Sequence, residues 1–165
     1  MNNKKRVLLI ALIAVLVAVM AFSLVACNRG GDNSEKSIAV YIGEDKFEIT
    51  TCQAYLHGVL KEMKANSQIS AYEYSGGDAS PFVSQIGDLQ QDFANYKYYS
   101  VWHSIDKFEL KCVYNEYAPS RGEQKDEGGT KFVVTTYKET MLYYSGVGVG
   151  DIPVIDGATY AVLVD

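Results

Sequence analysis

The sequence contains few of the residues from which catalytic and metal-binding sites are built. Its 165 residues include two histidines and three cysteines. Neither His57 nor His103 has a second ligand at metal-binding spacing, and no Cys-x-x-Cys pair is present. The nucleophile motif Gly-x-Ser-x-Gly and the zinc motif His-Glu-x-x-His are also absent. We therefore expect a protein that is not an enzyme and that has no metal site and no resident cofactor.

The chain also lacks an excess of basic residues. It has 15 lysines and arginines against 20 aspartates and glutamates, for a formal net charge of −5. Nucleic-acid-binding proteins carry a basic footprint, so a nucleic-acid partner is not expected. The 48% of hydrophobic residues is too high for a disordered chain, and the length fits one folded domain.

The N-terminus has the pattern of an export signal. Lys4, Lys5 and Arg6 precede an uncharged, mostly apolar stretch over residues 7–26. A stretch of this length is also compatible with a transmembrane helix, and a plain signal peptide is a further alternative. The segment Leu24-Val25-Ala26-Cys27 decides between them, because it resembles the bacterial lipobox. In a lipobox the cysteine thiol receives a diacylglycerol, and cleavage leaves the cysteine as the first residue.

This interpretation predicts where the protein is located in the cell and how the chain is divided into segments. Residues 1–26 are the predicted lipoprotein signal peptide, and Cys27 is the predicted lipidation site. Residues 27–37 form a flexible tether, since residues 28–37 contain no apolar side chain. Residues 38–165 form the folded domain. Because two or more acyl chains anchor a protein stably, the mature chain should sit on the extracytoplasmic face of the cell membrane.

In the first part of the domain, the spacing of the apolar residues is typical of a β-hairpin followed by one helix. Short apolar and alternating runs over residues 38–42 and 47–49 flank a turn at residues 43–46. Thr50 and Gln53 fit a capping box, which predicts a helix start. Tyr55, Leu56, Val59, Leu60 and Met63 then form one apolar helical face. The helix should end near Asn66, which tolerates a left-handed conformation.

In the rest of the domain, apolar and polar residues alternate along the sequence as they do in β-strands. We expect strands over residues 69–74, 82–86, 98–102, 108–114, 132–137, 141–144, 152–155 and 158–164. Asp156-Gly157 predicts a two-residue hairpin turn between the last two. The polar residues 115–130 predict a long exposed loop. One helix packed on a mixed or antiparallel sheet is an α+β architecture, and a hairpin followed by a helix suits a β-grasp-like topology.

Two cysteines lie in the predicted domain, Cys52 and Cys112. Export would place them in an oxidising compartment, where they could form a disulfide. Two buried thiols that act as small hydrophobic side chains are the alternative.

Three segments together suggest a family. They are the hairpin with Thr50-Thr51 and its helix, the sequence Ser80-Pro81-Phe82-Val83-Ser84-Gln85-Ile86-Gly87-Asp88, and the closing sequence Tyr144-Ser145-Gly146-Val147-Gly148-Val149-Gly150-Asp151-Ile152-Pro153-Val154-Ile155-Asp156-Gly157-Ala158-Thr159-Tyr160. Together they resemble the transcobalamin-like C-terminal domain of bacterial surface proteins, transcobalamin and intrinsic factor. The resemblance covers roughly residues 38–165, and residues 107–138 look like an insertion.

The resemblance implies a β-grasp fold and, as in the vertebrate members, contact with one face of cobalamin. The candidate ligand-binding residues that it gives this chain are Phe82, Tyr99, Trp102, Ser145, Gly146, Val147 and Gly148. We therefore expect an accessory surface module that binds a small ligand, for which a corrinoid is the candidate. The alternative is a surface module in which a face rich in the 13 tyrosines meets another protein or a cell-wall glycan.

Overall fold

The computed structural model describes residues 34–165. The predicted signal peptide, Cys27 and residues 28–33 of the predicted tether lie outside the described residues. The residues from Glu35 to Asp165 form one compact unit. Within residues 34–165, no helix has both the length and the apolar character needed to span a bilayer.

Nine strands and one α-helix make up this unit. The strands are β1 (Lys36–Ile42), β2 (Asp45–Thr51), β3 (Tyr72–Ser75), β4 (Phe82–Ile86), β5 (Tyr99–His103), β6 (Glu123–Glu127), β7 (Thr130–Tyr137), β8 (Thr140–Tyr144) and β9 (Thr159–Val164). The helix is α1 (Leu56–Ala65), and two short 3-10 turns cover Phe93–Asn95 and Phe108–Leu110.

Seven strands form a mixed sheet in the order β2-β1-β9-β5-β8-β7-β6, while β3 and β4 form a separate two-stranded sheet. The first strand β1 runs parallel to the last strand β9. The other neighbours in both sheets are antiparallel. A mixed sheet with a single α-helix among the described residues confirms the predicted α+β class.

Both faces of the central strands are buried. Val40, Tyr160 and Val162 face α1, whose Leu56, Val59, Leu60 and Met63 are fully buried against them. Since side chains alternate along a strand, their neighbours Tyr41, Ala161 and Leu163 point to the opposite face, where they join Trp102, Val133 and Leu142. The half-buried Cys112, Tyr114 and Ala118 pack against this second face. Residues 112–118 therefore help to cover the face that α1 does not reach.

The predicted helix start is wrong, although its end is confirmed. β2 continues to Thr51, whose hydroxyl accepts a hydrogen bond from Gln53 N (3.1 Å), and α1 begins only at Leu56 without a side-chain cap. Backbone carbonyls of a distant loop take the place of the cap. At the other end, Asn66 is the C-cap with φ −86°, and the left-handed residue is Ser67.

One strand prediction and one loop prediction between residues 108 and 130 are also corrected. Residues 108–114 form a 3-10 turn followed by two isolated bridges, in which Lys111 pairs with Ser145 and Val113 with Phe132. This segment lies between the diverging ends of β7 and β8. The predicted loop at residues 115–130 contains β6, which pairs with β7. β6 has the sequence Glu-Gln-Lys-Asp-Glu, and a strand without an apolar residue shows no alternation that could reveal it.

The predicted final hairpin is wrong, although the Asp156-Gly157 turn is present with Gly157 at φ +73°. Residues 152–155 do not pair with β9. Val154 N instead donates to Ala54 O (2.8 Å), and the Tyr160 hydroxyl donates to Pro153 O (2.8 Å). The segment is thereby held against the start of α1.

Cys112 is a free, half-buried cysteine. It is therefore not joined to Cys52. Burial raises the pKa of the Cys112 thiol, which favours the unreactive protonated form.

Candidate functional site

The fold brings together two segments of the family resemblance that are more than 60 residues apart in sequence. Gly150 lies so close to residues 79–81 that a Cβ atom there would be 2.7 Å from Pro81 Cδ and 2.9 Å from Ala79 O. The same loop holds the N-terminus of α1, because His57 N donates to Val149 O (3.0 Å) and Leu56 N donates to Ile152 O (2.9 Å). We call residues 79–82 and 145–150 the loop junction.

Part of the loop junction is open to solvent. Phe82 is 64% exposed. Gly146 and Gly148 are exposed, and a Cβ on Gly148 would meet nothing within 4 Å. Val147 is half-buried and packs against the helix-side core. Four of the seven predicted ligand-binding residues, Phe82, Gly146, Val147 and Gly148, therefore belong to the loop junction and are at least partly exposed.

Ser145 shapes the loop from inside. It is buried, its hydroxyl donates to Val147 O (2.7 Å), and its backbone N–H donates to Val101 O (2.8 Å). Gly146 N donates in turn to Leu110 O (2.8 Å). The loop is thus fixed to β5 on one side and to the predicted insertion on the other.

The structure does not bring Tyr99 or Trp102 to the loop junction. Trp102 is fully buried on the sheet face opposite α1, and its indole N–H donates to Ser100 Oγ (2.8 Å). Tyr99 is half-buried, and its hydroxyl donates to Leu89 O (2.8 Å). Trp102 offers no surface to a ligand because residues 112–118 pack on the face that holds it.

A polar cluster beside the loop junction was not found from the sequence. The ring nitrogens of His57 lie 2.7 Å from the Tyr72 hydroxyl and 3.3 Å from Asp78 Oδ1. Lys61 Nζ donates to Asp78 Oδ2 (3.1 Å), and the Tyr74 hydroxyl donates to Asp78 Oδ1 (3.2 Å). The residues come from α1, β3 and the β3–β4 loop, so no sequence spacing reveals them.

The electrostatics of this cluster fit a structural role. Hydrogen bonds from Lys61, and then from His57 and Tyr74, lower the pKa of Asp78. Burial raises the pKa of the Tyr72 hydroxyl, so that hydroxyl remains protonated. His57 is 4% exposed and both of its ring nitrogens are occupied. The cluster fixes Asp78, which lies one residue before the loop junction, and contains no free nucleophile.

A second cluster surrounds a buried lysine at the far side of the sheet. Lys111 Nζ bonds to Asp106 and lies 2.6 Å from Glu127 Oε2. It also stands 4.1 Å from the centre of the Tyr143 ring. Glu127 Oε1 accepts hydrogen bonds from Lys125 (2.7 Å) and from the Tyr143 hydroxyl (2.6 Å). The cluster ties the predicted insertion to β6 and β8.

An exposed aromatic loop leads into β5. Phe93, Tyr96 and Tyr98 are 61%, 79% and 46% exposed, and the rings of Phe93 and Tyr98 meet edge to face at 5.6 Å. Asp92 caps the turn through Asn95 N (3.2 Å), and Tyr96 has φ +56°. A non-glycine residue in this left-handed region costs free energy, so the surrounding hydrogen bonds determine the loop shape. We call residues 92–98 the aromatic loop.

Across residues 34–165, no three His, Cys, Asp or Glu side chains are grouped so that they could hold a metal ion.

The sequence matches no family model, and it matches no curated protein. A solved structure described as "a putative metal binding protein from Ruminococcus gnavus ATCC 29149" is similar to this chain, with a TM-score of 0.45 and 13% sequence identity. The similarity covers 80% of this chain and 96% of that one. At this TM-score the likeness carries no argument about fold or function.

Proposed function

We propose that this chain is a lipid-anchored extracytoplasmic binding module. Cys27 would carry the lipid, and residues 38–165 would form a transcobalamin-like β-grasp domain that takes a small ligand at the loop junction. A corrinoid is the candidate ligand. In this proposal the protein is a binding accessory and not an enzyme.

The strand arrangement supports the β-grasp part of the proposal. The resemblance implies a β-grasp fold, and the sequence predicts a hairpin, one helix and further strands in a mixed or antiparallel sheet. Here β1 and β9 are parallel neighbours at the centre of the order β2-β1-β9-β5-β8, and α1 packs on one face. β7 and β6 extend the sheet beyond this set.

The observation that carries the ligand-binding proposal is the contact between Gly150 and residues 79–81. The resemblance picked out these two segments from sequence motifs alone, and the fold places them side by side with Phe82 and Gly148 exposed. Glycines without side chains let a flat ligand approach the backbone closely. An exposed aromatic ring beside them supplies apolar contact area.

An absorbance titration of the purified full-length chain with cobalamin tests the proposal. Binding should perturb the corrin spectrum in a saturable manner. Val147→Asp, which puts a charge into the loop junction, and Phe82→Ala, which removes its exposed ring, should abolish or weaken the change. Met141→Asp is the control, since Met141 is an exposed apolar residue on β8. A spectrum that does not change, or a change that both junction variants retain, would contradict corrinoid binding at this surface.

The aromatic loop favours a second candidate function, namely adhesion to a cell-wall glycan or a surface protein. Rigidly held, exposed tyrosine and phenylalanine rings are typical of recognition surfaces. Co-sedimentation of the chain with purified peptidoglycan that is lost in Phe93→Ser with Tyr98→Ser, and kept in Val147→Asp, would support this function over the first.

A further inference from the structure

A cleft lies where β1 turns into β2, apart from the loop junction. Its volume is about 200 Å³. Three stretches of chain line it, which are residues 42–45 with Phe47, residues 68–70 after α1, and residues 87–89 after β4.

The walls of this cleft are fixed by hydrogen bonds to the rest of the fold. Gly43 N donates to Val162 O (2.9 Å), and the Tyr137 hydroxyl donates to Gly43 O (2.6 Å). On the facing wall, Gly87 N donates to Ala71 O (2.7 Å). A cleft held in this way is preformed, so a ligand does not have to order it on binding.

Two glycines let the walls approach each other. Gly43 and Gly87 have φ angles of +59° and +52°, which a residue with a side chain rarely adopts. A Cβ on Gly43 would lie 2.8 Å from Leu89 Cδ2, and one on Gly87 would lie 3.2 Å from Ile42 Cγ2. The shape of the cleft therefore depends on the absence of both side chains.

Four apolar residues contribute to the floor of the cleft, between its polar walls. Ile42 and Ile69 are buried there, and Phe47 and Leu89 are partly buried against the same core. A ligand needs an apolar portion to contact this floor favourably.

The rim is acidic. Glu44, Asp45 and Asp88 belong to the lining, and no lysine or arginine does. The Asp45 carboxylate has no hydrogen-bond partner within the described part of the chain. Asp88 accepts a hydrogen bond only from the neutral Ser70 hydroxyl (2.5 Å), while Glu44 is paired with Lys138 (2.6 Å).

Two other lysines lie near the rim. Lys46 is paired with Glu48 at 2.5 Å. Lys64 donates to the carbonyl of the lining residue Ser70, so it offsets part of the charge of Asp88 and leaves that of Asp45. The carboxyl end of α1, where the helix dipole is negative, lies at Ala65, three residues before the lining residue Gln68. The open edge of the cleft therefore presents negative charge to solvent.

We propose that this cleft binds a small organic cation, an ammonium group carried on a short apolar body. The carboxylates of the rim are not grouped as metal ligands, which favours an ammonium over a bare metal ion. The volume of about 200 Å³ equals that of about seven water molecules and is below the roughly 300 Å³ of drug-sized pockets. The ligand is therefore small, and its apolar body lies on the floor with its charge at Asp45 and Asp88.

The test is an NMR titration of the ¹⁵N-labelled full-length chain in detergent micelles. The probes are 2-phenylethylammonium and the neutral 2-phenylethanol, which share one apolar body. We expect saturable shifts of the Gly43, Gly87 and Leu89 amides, and at least about tenfold weaker binding of the alcohol. Asp45→Asn combined with Asp88→Asn should weaken ammonium binding about tenfold.

Glu73→Gln is the matched control, because Glu73 is an exposed carboxylate on β3 that does not line the cleft and forms no ion pair within residues 34–165. It should change the affinity by less than about twofold. If the double variant fails to fold, the single variant Asp45→Asn takes its place, and it should also weaken ammonium binding. Equal affinity for both probes, shifts outside the cleft, an absence of saturable shifts, or unchanged affinity in Asp45→Asn and in the double variant would overturn the proposal. The corrinoid titration is read at a different surface, so either proposal can fail without the other.

Discussion

Lys111 keeps its charge in the interior because its environment supplies compensating groups. Its side chain is 4% exposed. Burial alone lowers the pKa of Lys111, but hydrogen bonds to Asp106 and Glu127 outweigh that effect and raise the pKa overall. The faces of Tyr143 and Phe132 add cation–π attraction at 4.1 and 5.0 Å. An uncompensated lysine at this position would be strongly destabilising.

Glu127 makes the stability of the domain depend on pH. Hydrogen bonds from Lys111, Lys125 and Tyr143 lower its pKa from 4.5 to about 2. The unfolded chain therefore binds the proton at a higher pH than the folded chain does. The stabilisation from Glu127 is complete above about pH 4.5 and is lost as the pH falls through about 2.

Thermal unfolding between pH 2 and pH 6 measures this effect. The melting temperature of the unmodified chain should fall more steeply below pH 4.5 than that of Glu127→Gln, which has no carboxylate to protonate. Glu123→Gln, on the exposed part of the same strand, should follow the unmodified chain. Parallel melting curves for Glu127→Gln and the unmodified chain would show that the Lys111 cluster does not control the pH dependence.

Elements with a clear hydrophobic period could be predicted from the sequence, and those fixed by long-range hydrogen bonds could not. The first hairpin, the apolar face of α1 and the last strand all have such a period, and all three are present. The strand β6 is entirely polar, so only its pairing with β7 reveals it. The N-terminus of α1 is capped by carbonyls of residues 149 and 152, which no local pattern near Leu56 could indicate.

The candidate site divides in the same way. The sequence motifs contain Phe82 and residues 146–148, and the two segments that hold them meet where Gly150 approaches Pro81 and Ala79. Trp102 lies on the opposite face of the sheet, because its position in β5 alternates with that of Val101 and residues 112–118 pack on it. Burial of this face depends on the predicted insertion, whose path the sequence does not show.

The packing of Gly150 against residues 79–81 gives a direct test of the loop junction. Gly150→Ala should destabilise the domain by about 1–3 kcal/mol, because the added Cβ would collide with Pro81 and the Ala79 carbonyl. Gly148→Ala is the matched control, since its Cβ would enter open space and should change the stability by less than about 0.5 kcal/mol. Chemical denaturation measures both. Equal stability of the two variants would show that the segments are not in contact.

At the scale of the whole molecule, the described domain separates its candidate surfaces. The loop junction lies at the N-terminal end of α1, the cleft lies beyond its C-terminal end, and the Lys111 cluster lies on the side of β8, β7 and β6. A single helix covers only part of one sheet face, and residues 112–118 cover part of the other. β1 begins at Lys36, so the predicted tether is shorter than residues 27–37 by its last two residues. In our proposal the chain before β1 contributes the lipid anchor and the tether, and the folded domain contributes the binding surfaces.

The most direct test of the central proposal, a lipid-anchored module exported from the cytoplasm, is the mass of the mature protein recovered from bacterial membranes. We predict a chain that begins at Cys27 and carries a diacylglyceryl group, and a Cys27→Ser variant that keeps its signal peptide and receives no lipid. Recovery of the intact 165-residue chain, or of a chain with an unmodified Cys27 thiol, would contradict the account.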